Sequence, residues 1–180
     1  MSENHRVSDE VLADLPIFDG MDAQQRRKLA DIGAVHALRR GDVVLEQGQS
    51  SQQLWIVLSG SCRVLRKPHT QPGCVVQLAE LGPQDHFGEM SFFHAAPHSA
   101  TVEATAAVEL LRIERSDYDR LIEQGDVAAY KLALNCVDEL ADRLRRMDEW
   151  VTDLVCQQRD ERQVSEWTRF REKLFSNAYR

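Results

Sequence analysis

The spacing of apolar residues changes character twice along this chain. From Ser8 to Gly33 it is helical. Ser8 can cap a short helix through Leu12, and Leu15, Ile17 and Phe18 anchor a turn. Asp22 with Gln25 predicts a capped helix over Ala23 to Ile32 that exits at Gly33. The spacing then drops to two. Segments 34–38, 42–46, 53–59, 61–67, 74–80 and 108–114 read as short strands, with Gly41, Gly48 and Gly60 separating the first four. So many short strands at such spacing predict a sandwich or a rolled barrel. Ser116 with Asp119 predicts a helix over Asp117 to Glu123, ended by Gly125. From Asp126 the helical period is sustained. Tyr130, Val137, Leu144 and Val151 recur every seven residues, Ala133, Leu140, Met147 and Leu154 interleave with them, and most charges fall off that seam.

Such a seam serves either a partner helix or the flank of the protein's own roll. A helix over 126–158 would reach about 45 Å at about 1.5 Å per residue, more than a small roll covers, so a homodimer through this helix is expected. The last segment, 159–180, sets Trp167, Phe170 and Leu174 at helical spacing. It is expected to fold back on the roll or a partner subunit, or to dock another protein. The chain thus divides into a β-roll with short flanking helices (1–125), a long dimerisation helix (126–158) and a C-terminal amphipathic helix (159–180). Its class is α+β, mainly β.

Composition narrows the function. The chain has 180 residues, 43% of them hydrophobic, enough for one domain and an appendage. A net charge of −7 argues against broad nucleic-acid binding, which draws on basic side chains. Cys62, Cys74, Cys136 and Cys156 are dispersed without a Cys-x-x-Cys pair and read as reduced thiols, two in strands and two on a helix. No apolar run approaches the roughly 20 residues that cross a bilayer, and the N-terminus lacks the apolar core of a secretion signal. A cytoplasmic protein without a membrane partner is expected. No nucleophile–base set, metal-ligand spacing or Gly-x-x-x-x-Gly-Lys-Ser/Thr loop is present, so neither catalytic nor metal residues are expected and the chain is not read as an enzyme.

The stretch that carries candidate chemistry is Phe87-Gly-Glu-Met-Ser-Phe-Phe-His-Ala-Ala-Pro-His-Ser-Ala-Thr-Val-Glu-Ala104. It turns at Gly88, offers one helical turn over Glu89 to Phe93, and recovers through Pro97 into a strand over Ser99 to Ala104. Unpaired amides at such a turn favour an anion such as phosphate. The stretch closely resembles the phosphate-binding cassette of cyclic nucleotide-binding domains, the family of the bacterial catabolite activator protein and of protein kinase A regulatory subunits. Gly41-Asp-Val-Val, Gly48 and Trp55-Ile-Val-Leu-Ser-Gly60 fit the same pattern, and the resemblance runs from about Leu15 to about Glu123.

The resemblance implies a double-stranded β-helix, or jelly roll, and a pocket for cAMP or cGMP with no other cofactor. The Gly88, Met90 and Ser91 amides would face the cyclic phosphate, Glu89 would accept from the ribose 2′-hydroxyl, and Ser99 would touch purine or phosphate. At one position the pattern is broken: His98 stands where the family has arginine. Histidine offers shorter reach, and charge only when protonated, so altered or weakened binding is expected. Three readings stay open. The domain senses cyclic nucleotide through ligand-dependent helix rearrangement; or it binds another anion or none and serves as a degenerate dimerisation or protein-interaction module; or His86, His94 and His98 gather a metal or haem. The segment after Gln157 is too short for the helix-turn-helix of the bacterial regulators, so no direct DNA binding is expected.

Overall fold

The computed structural model describes residues 7–68, 73–157 and 165–170. The chain forms two compact units, Met1–Cys136 and Val137–Arg180. In the first, α1 (Asp9–Ala13), a 3-10 turn (Pro16–Phe18) and α2 (Ala23–Asp31) precede the strands. The strands are β1 (Gly33–Leu38), β2 (Val43–Leu45), β3 (Gln53–Ser59), β4 (Cys62–Arg66), β5 (Val76–Leu81), β6 (His86–Phe87), β7 (Thr101–Ala104) and β8 (Val108–Glu114). A short helix, α3 (Glu89–Phe93), joins β6 to β7, and α4 (Arg115–Glu123) and α5 (Val127–Gln157) follow β8. The strands form two antiparallel sheets, ordered β1-β8-β3-β6 and β2-β7-β4-β5, as the jelly-roll expectation requires.

The apolar run Leu54-Trp-Ile-Val57 follows from burial on both faces of β3. Trp55 and Val57 face the core between the sheets, with Cys62, Phe87, Val102 and Leu110. Leu54 and Ile56 face the opposite core, where α1, α2, α3 and the start of α5 are packed. Strand β8 divides in the same way, Leu110 to the first core and Leu111 and Ile113 to the second. On α5, Ala128, Ala129, Leu132 and Cys136 lie on one stripe at helical spacing and close that second core. Two polar anchors fix the stripe: Lys131 reaches the Gly20 carbonyl and Gln25, and Asn135 donates to the carbonyls of Ile17 and Asp19 at 2.9 and 3.0 Å.

The capping box at Asp22 and Gln25 is present, each side chain receiving the other's backbone N–H. Ser116 caps nothing. Helix α4 begins earlier than its spacing predicts, with Glu114 before it and no side-chain cap, because Arg115 turns directly out of β8 with its N–H on the Gln52 carbonyl. Cys74 lies just outside β5, not within a strand. Asp126 precedes α5 and accepts from the Ala128 N–H at 2.9 Å. In the second unit α5 is laced by Arg143 on Glu139 and Arg145 on Asp142. Residues 165–170 are helical, with Trp167 stacked on Phe170 at 5.5 Å; the remainder of the 159–180 segment lies outside the described residues.

Gly60 turns the β3–β4 corner at φ +81°, and a Cβ there would stand 2.1 Å from the Ala107 carbonyl oxygen. Gly60→Ala is therefore expected to cost at least about 2 kcal/mol, since it combines a left-handed backbone with a backbone clash. Urea denaturation should show the midpoint falling at unchanged slope.

Candidate functional site

The site is built where β6 ends. Gly88 has φ +86° and leads into α3, and a Cβ at this position would stand 2.4 Å from the Gln53 carbonyl oxygen. Only glycine fits both the backbone angle and the approach. Its flank is aromatic: Phe87 lies parallel to Trp55 at 6.3 Å. The Phe92 N–H returns to the Gly88 carbonyl at 2.9 Å and closes the turn. Glu89 and Ser91 are buried within it, while the Met90 side chain is exposed.

His98 returns to this turn across the loop, and the residue is only 7% exposed. Backbone bonds zip residue 98 to the 46–52 loop: the Gly48 N–H donates to the His98 carbonyl at 2.9 Å, and the His98 N–H to the Gln49 carbonyl at 2.8 Å. Both ring nitrogens meet hydroxyls, Nδ1 at 3.0 Å from Ser91 Oγ and Nε2 at 2.8 Å from Ser51 Oγ. The Ser91 hydroxyl donates to the Gly88 carbonyl at 3.2 Å, so its oxygen accepts from Nδ1–H and Nε2 accepts from Ser51. One neutral tautomer satisfies every member. Burial pushes the His98 pKa below its usual value, in agreement with that circuit.

The remaining expectations divide. Gly88, Glu89, Met90, Ser91 and His98 meet around one turn, whereas Ser99 is exposed, just before β7. His86 is buried in β6 and His94 is exposed, and among the described residues no group of metal-ligating side chains gathers. Ser51 gives no signal in the sequence beyond a polar run following Gly48. Arg115 is hidden for a different reason: its guanidinium, held by Asp119 one turn on at 2.7 Å, donates to the Phe92 carbonyl at 2.8 Å, a tertiary contact that no local motif marks.

The model of the cyclic nucleotide-binding domain matches residues 35–125, just over half of the chain. The chain belongs to that family. A cAMP-dependent protein kinase regulatory subunit of Debaryomyces hansenii is 30% identical over 114 residues, 63% of this chain and 24% of that protein. The chain thus spans about a quarter of that relative's length. The structure is similar to that of Thermus thermophilus catabolite activator protein (TM-score 0.69, 32% identity, covering 77% of this chain and 62% of that one). It is similar also to the regulatory domain of Toxoplasma gondii protein kinase A, solved with cAMP (TM-score 0.60, 26% identity, covering 72% and 48%). Among the described residues no helix is long and apolar enough to cross a membrane.

His98, which is buried, and His36, which is half-buried, make stability pH-dependent. His36 is lowered, first by burial and then by the Arg112 charge, and His98 by burial alone. Both bind a proton more readily in the unfolded chain, so stability is present above about pH 6.5 and is lost as pH falls toward the folded values. The melting temperature should drop between pH 8 and pH 5.5, and His98→Gln should make that drop shallower. An equal drop in the variant would show that His98 is already exposed to water.

Proposed function

We propose that this chain is a cyclic nucleotide sensor, taking cAMP or cGMP at the Gly88–Phe93 turn and passing occupancy to α4 and α5. The observation that carries the reading is the turn itself, made by a glycine at φ +86° packed against β3, within the residues that match the family. In this reading the Gly88, Met90 and Ser91 amides receive the phosphate and Glu89 accepts from the ribose 2′-hydroxyl, a charge-assisted bond. His98 stands beside the phosphate, and Ser99 is close enough in sequence to touch the ligand when the loop closes. Such a closure would move α4 and α5 together and repack a dimer seam, by the ligand's difference in affinity for the two arrangements.

The seam is the second half of the reading. Val127, Tyr130, Leu134, Val137 and Leu144 are each at least half exposed along α5. A second copy of the chain is the occupant that a recurring apolar stripe on a helix fits best, and no DNA-binding role is assigned to it. The short helical segment at 165–170 offers Phe170 as a further apolar contact for a protein partner.

One observation favours the degenerate reading: His98 is already satisfied by two serines and carries no charge to offer at neutral pH. Titration calorimetry decides between them. cAMP or cGMP should bind, more tightly at pH 6 than at pH 8, because the imidazolium forms only in acid. His98→Arg should tighten binding at pH 8 by roughly ten- to a hundredfold, the worth of about 1.5–3 kcal/mol for a charged hydrogen bond. Absence of heat with either nucleotide at both pH values, in wild type and variant, would leave the interaction module as the function.

Leu144→Glu tests the seam separately. The variant should convert a dimer to a monomer in light scattering at micromolar concentration, and a wild-type chain that is monomeric throughout would remove the seam from the mechanism.

A further inference from the structure

We propose that Ser51, His98 and Ser91 act as nucleophile, base and positioning residue, so that the Ser51 hydroxyl accepts the acyl group of a small carboxylic ester. A hydroxyl is a weak nucleophile until a base stands within hydrogen-bond reach and a third group holds that base in place. Ser51 Oγ lies 2.8 Å from His98 Nε2, and His98 Nδ1 lies 3.0 Å from Ser91 Oγ. Ser91 is anchored in turn, its hydroxyl donating to the Gly88 carbonyl at 3.2 Å. Every donor in this series points from Ser51 toward Gly88. The ring's free lone pair is therefore on Nε2, facing the Ser51 proton. The members lie 47 and 7 positions apart, so no motif along the chain marks them as a set.

Nucleophile and base are held together by backbone as well as by side chain. The Gly48 N–H donates to the His98 carbonyl at 2.9 Å and the His98 N–H to the Gln49 carbonyl at 2.8 Å, which ties the segment carrying Ser51 to the ring. The ring is buried and Ser51 is half-buried, so the base is shielded from water while the hydroxyl stays within reach of an ester. Burial also keeps the imidazole unprotonated near neutral pH, the state a general base needs. The neighbouring Ser50 is exposed and makes no histidine contact among the described residues. Exposure and activation are thus separated between two adjacent serines. In the acyl transfer, Ser51 Oγ bonds to the ester carbonyl carbon as its proton passes to Nε2. The bond to the alkoxy oxygen then breaks, and that oxygen takes the proton from Nε2 and leaves as the alcohol. Nδ1–H remains on the ring throughout, donating to Ser91. Water repeats the two steps on acyl-Ser51 and releases the carboxylic acid.

The proposal is independent of nucleotide sensing and is tested on the full chain without nucleotide. The probe is an alkyl phosphonofluoridate, whose phosphorus takes the place of the ester carbonyl carbon. The Ser51 Oγ–P bond forms, the P–F bond breaks, fluoride leaves, and the serine proton passes through Nε2 to solvent. The adduct is stable, and mass spectrometry locates it by residue. In the folded wild type at neutral pH, Ser51 should be labelled at least about tenfold faster than Ser50, since a positioned general base is worth that much or more. His98→Gln should abolish the advantage. Ser91→Ala should reduce it, and Ser91→Thr, which keeps the hydroxyl, should restore it; an advantage unchanged in Ser91→Ala would remove Ser91 from the set. Wild type unfolded in urea should label the two serines alike, because the fold supplies the activation. A Ser51 advantage below about tenfold in the folded wild type, or one that survives His98→Gln, would overturn the proposal. The first of these outcomes is read without any variant.

Discussion

The approach of the Gly88 backbone to the Gln53 carbonyl is the contact from which the rest of the site is set. A methyl group on Gly88 would lie 2.4 Å from that oxygen, so no side chain can intervene and the start of α3 is fixed against β3. From that fixed start the five residues of α3 can take few directions. Ser91 falls beside His98, and the Phe92 carbonyl falls beside Arg115. The turn is thus held by its own glycine, by the hydrogen bonds around His98 and by the Arg115 guanidinium on the Phe92 carbonyl.

His98 keeps the turn free of a buried charge. An arginine in a buried cradle with no anion would keep its charge and lose much of its hydration, a penalty of several kcal/mol. A histidine avoids that penalty by remaining neutral, with Ser51 and Ser91 completing its hydrogen bonds. The neutral ring therefore contributes to the fold of the turn without needing a counter-ion. In the proposed reading, an anion at this turn would have to compete with two hydroxyls already bonded to the ring.

Much of the fold was legible in the sequence because its signals are local. The alternation of the strands, the Asp22–Gln25 box and the glycine turns are decided by neighbours within a few residues, and the structure follows them. The cassette was legible as a pattern, since Gly88 and the residues after it occupy one short loop. What escaped were pairings across the chain: Ser51 with His98 is separated by 47 positions and Arg115 with Phe92 by 23. A polar run before β3 and an arginine at a strand–helix junction have many ordinary explanations, and only the closed roll brings them to the α3 turn and the His98 loop. Ser116 misled for the converse reason. A serine ahead of a helix is a good local cap, yet the backbone of Arg115 was already committed to Gln52 and the helix had begun.

Helix α5 shows how one segment can carry two apolar faces. At 3.6 residues per turn a strict seven-residue repeat drifts by about 20° per heptad, so a seam read at fixed spacing slides around a straight helix. Ala133, placed on the seam by spacing, is half buried in the structure, while its neighbour Leu134 is 62% exposed and aligns with Tyr130 and Val137. The inward stripe of Ala128, Ala129, Leu132 and Cys136 is made mostly of small residues and permits close approach to the roll. The outward stripe is made of larger ones and leaves a surface that water covers poorly. Within the first unit, Tyr130 and Leu134 share turns of the helix with Ala129 and Leu132, so both faces are fixed by the same backbone hydrogen bonds. The small inner face is what lets the Tyr118 hydroxyl reach the Ala129 carbonyl, and the larger side chains are left to the outer face.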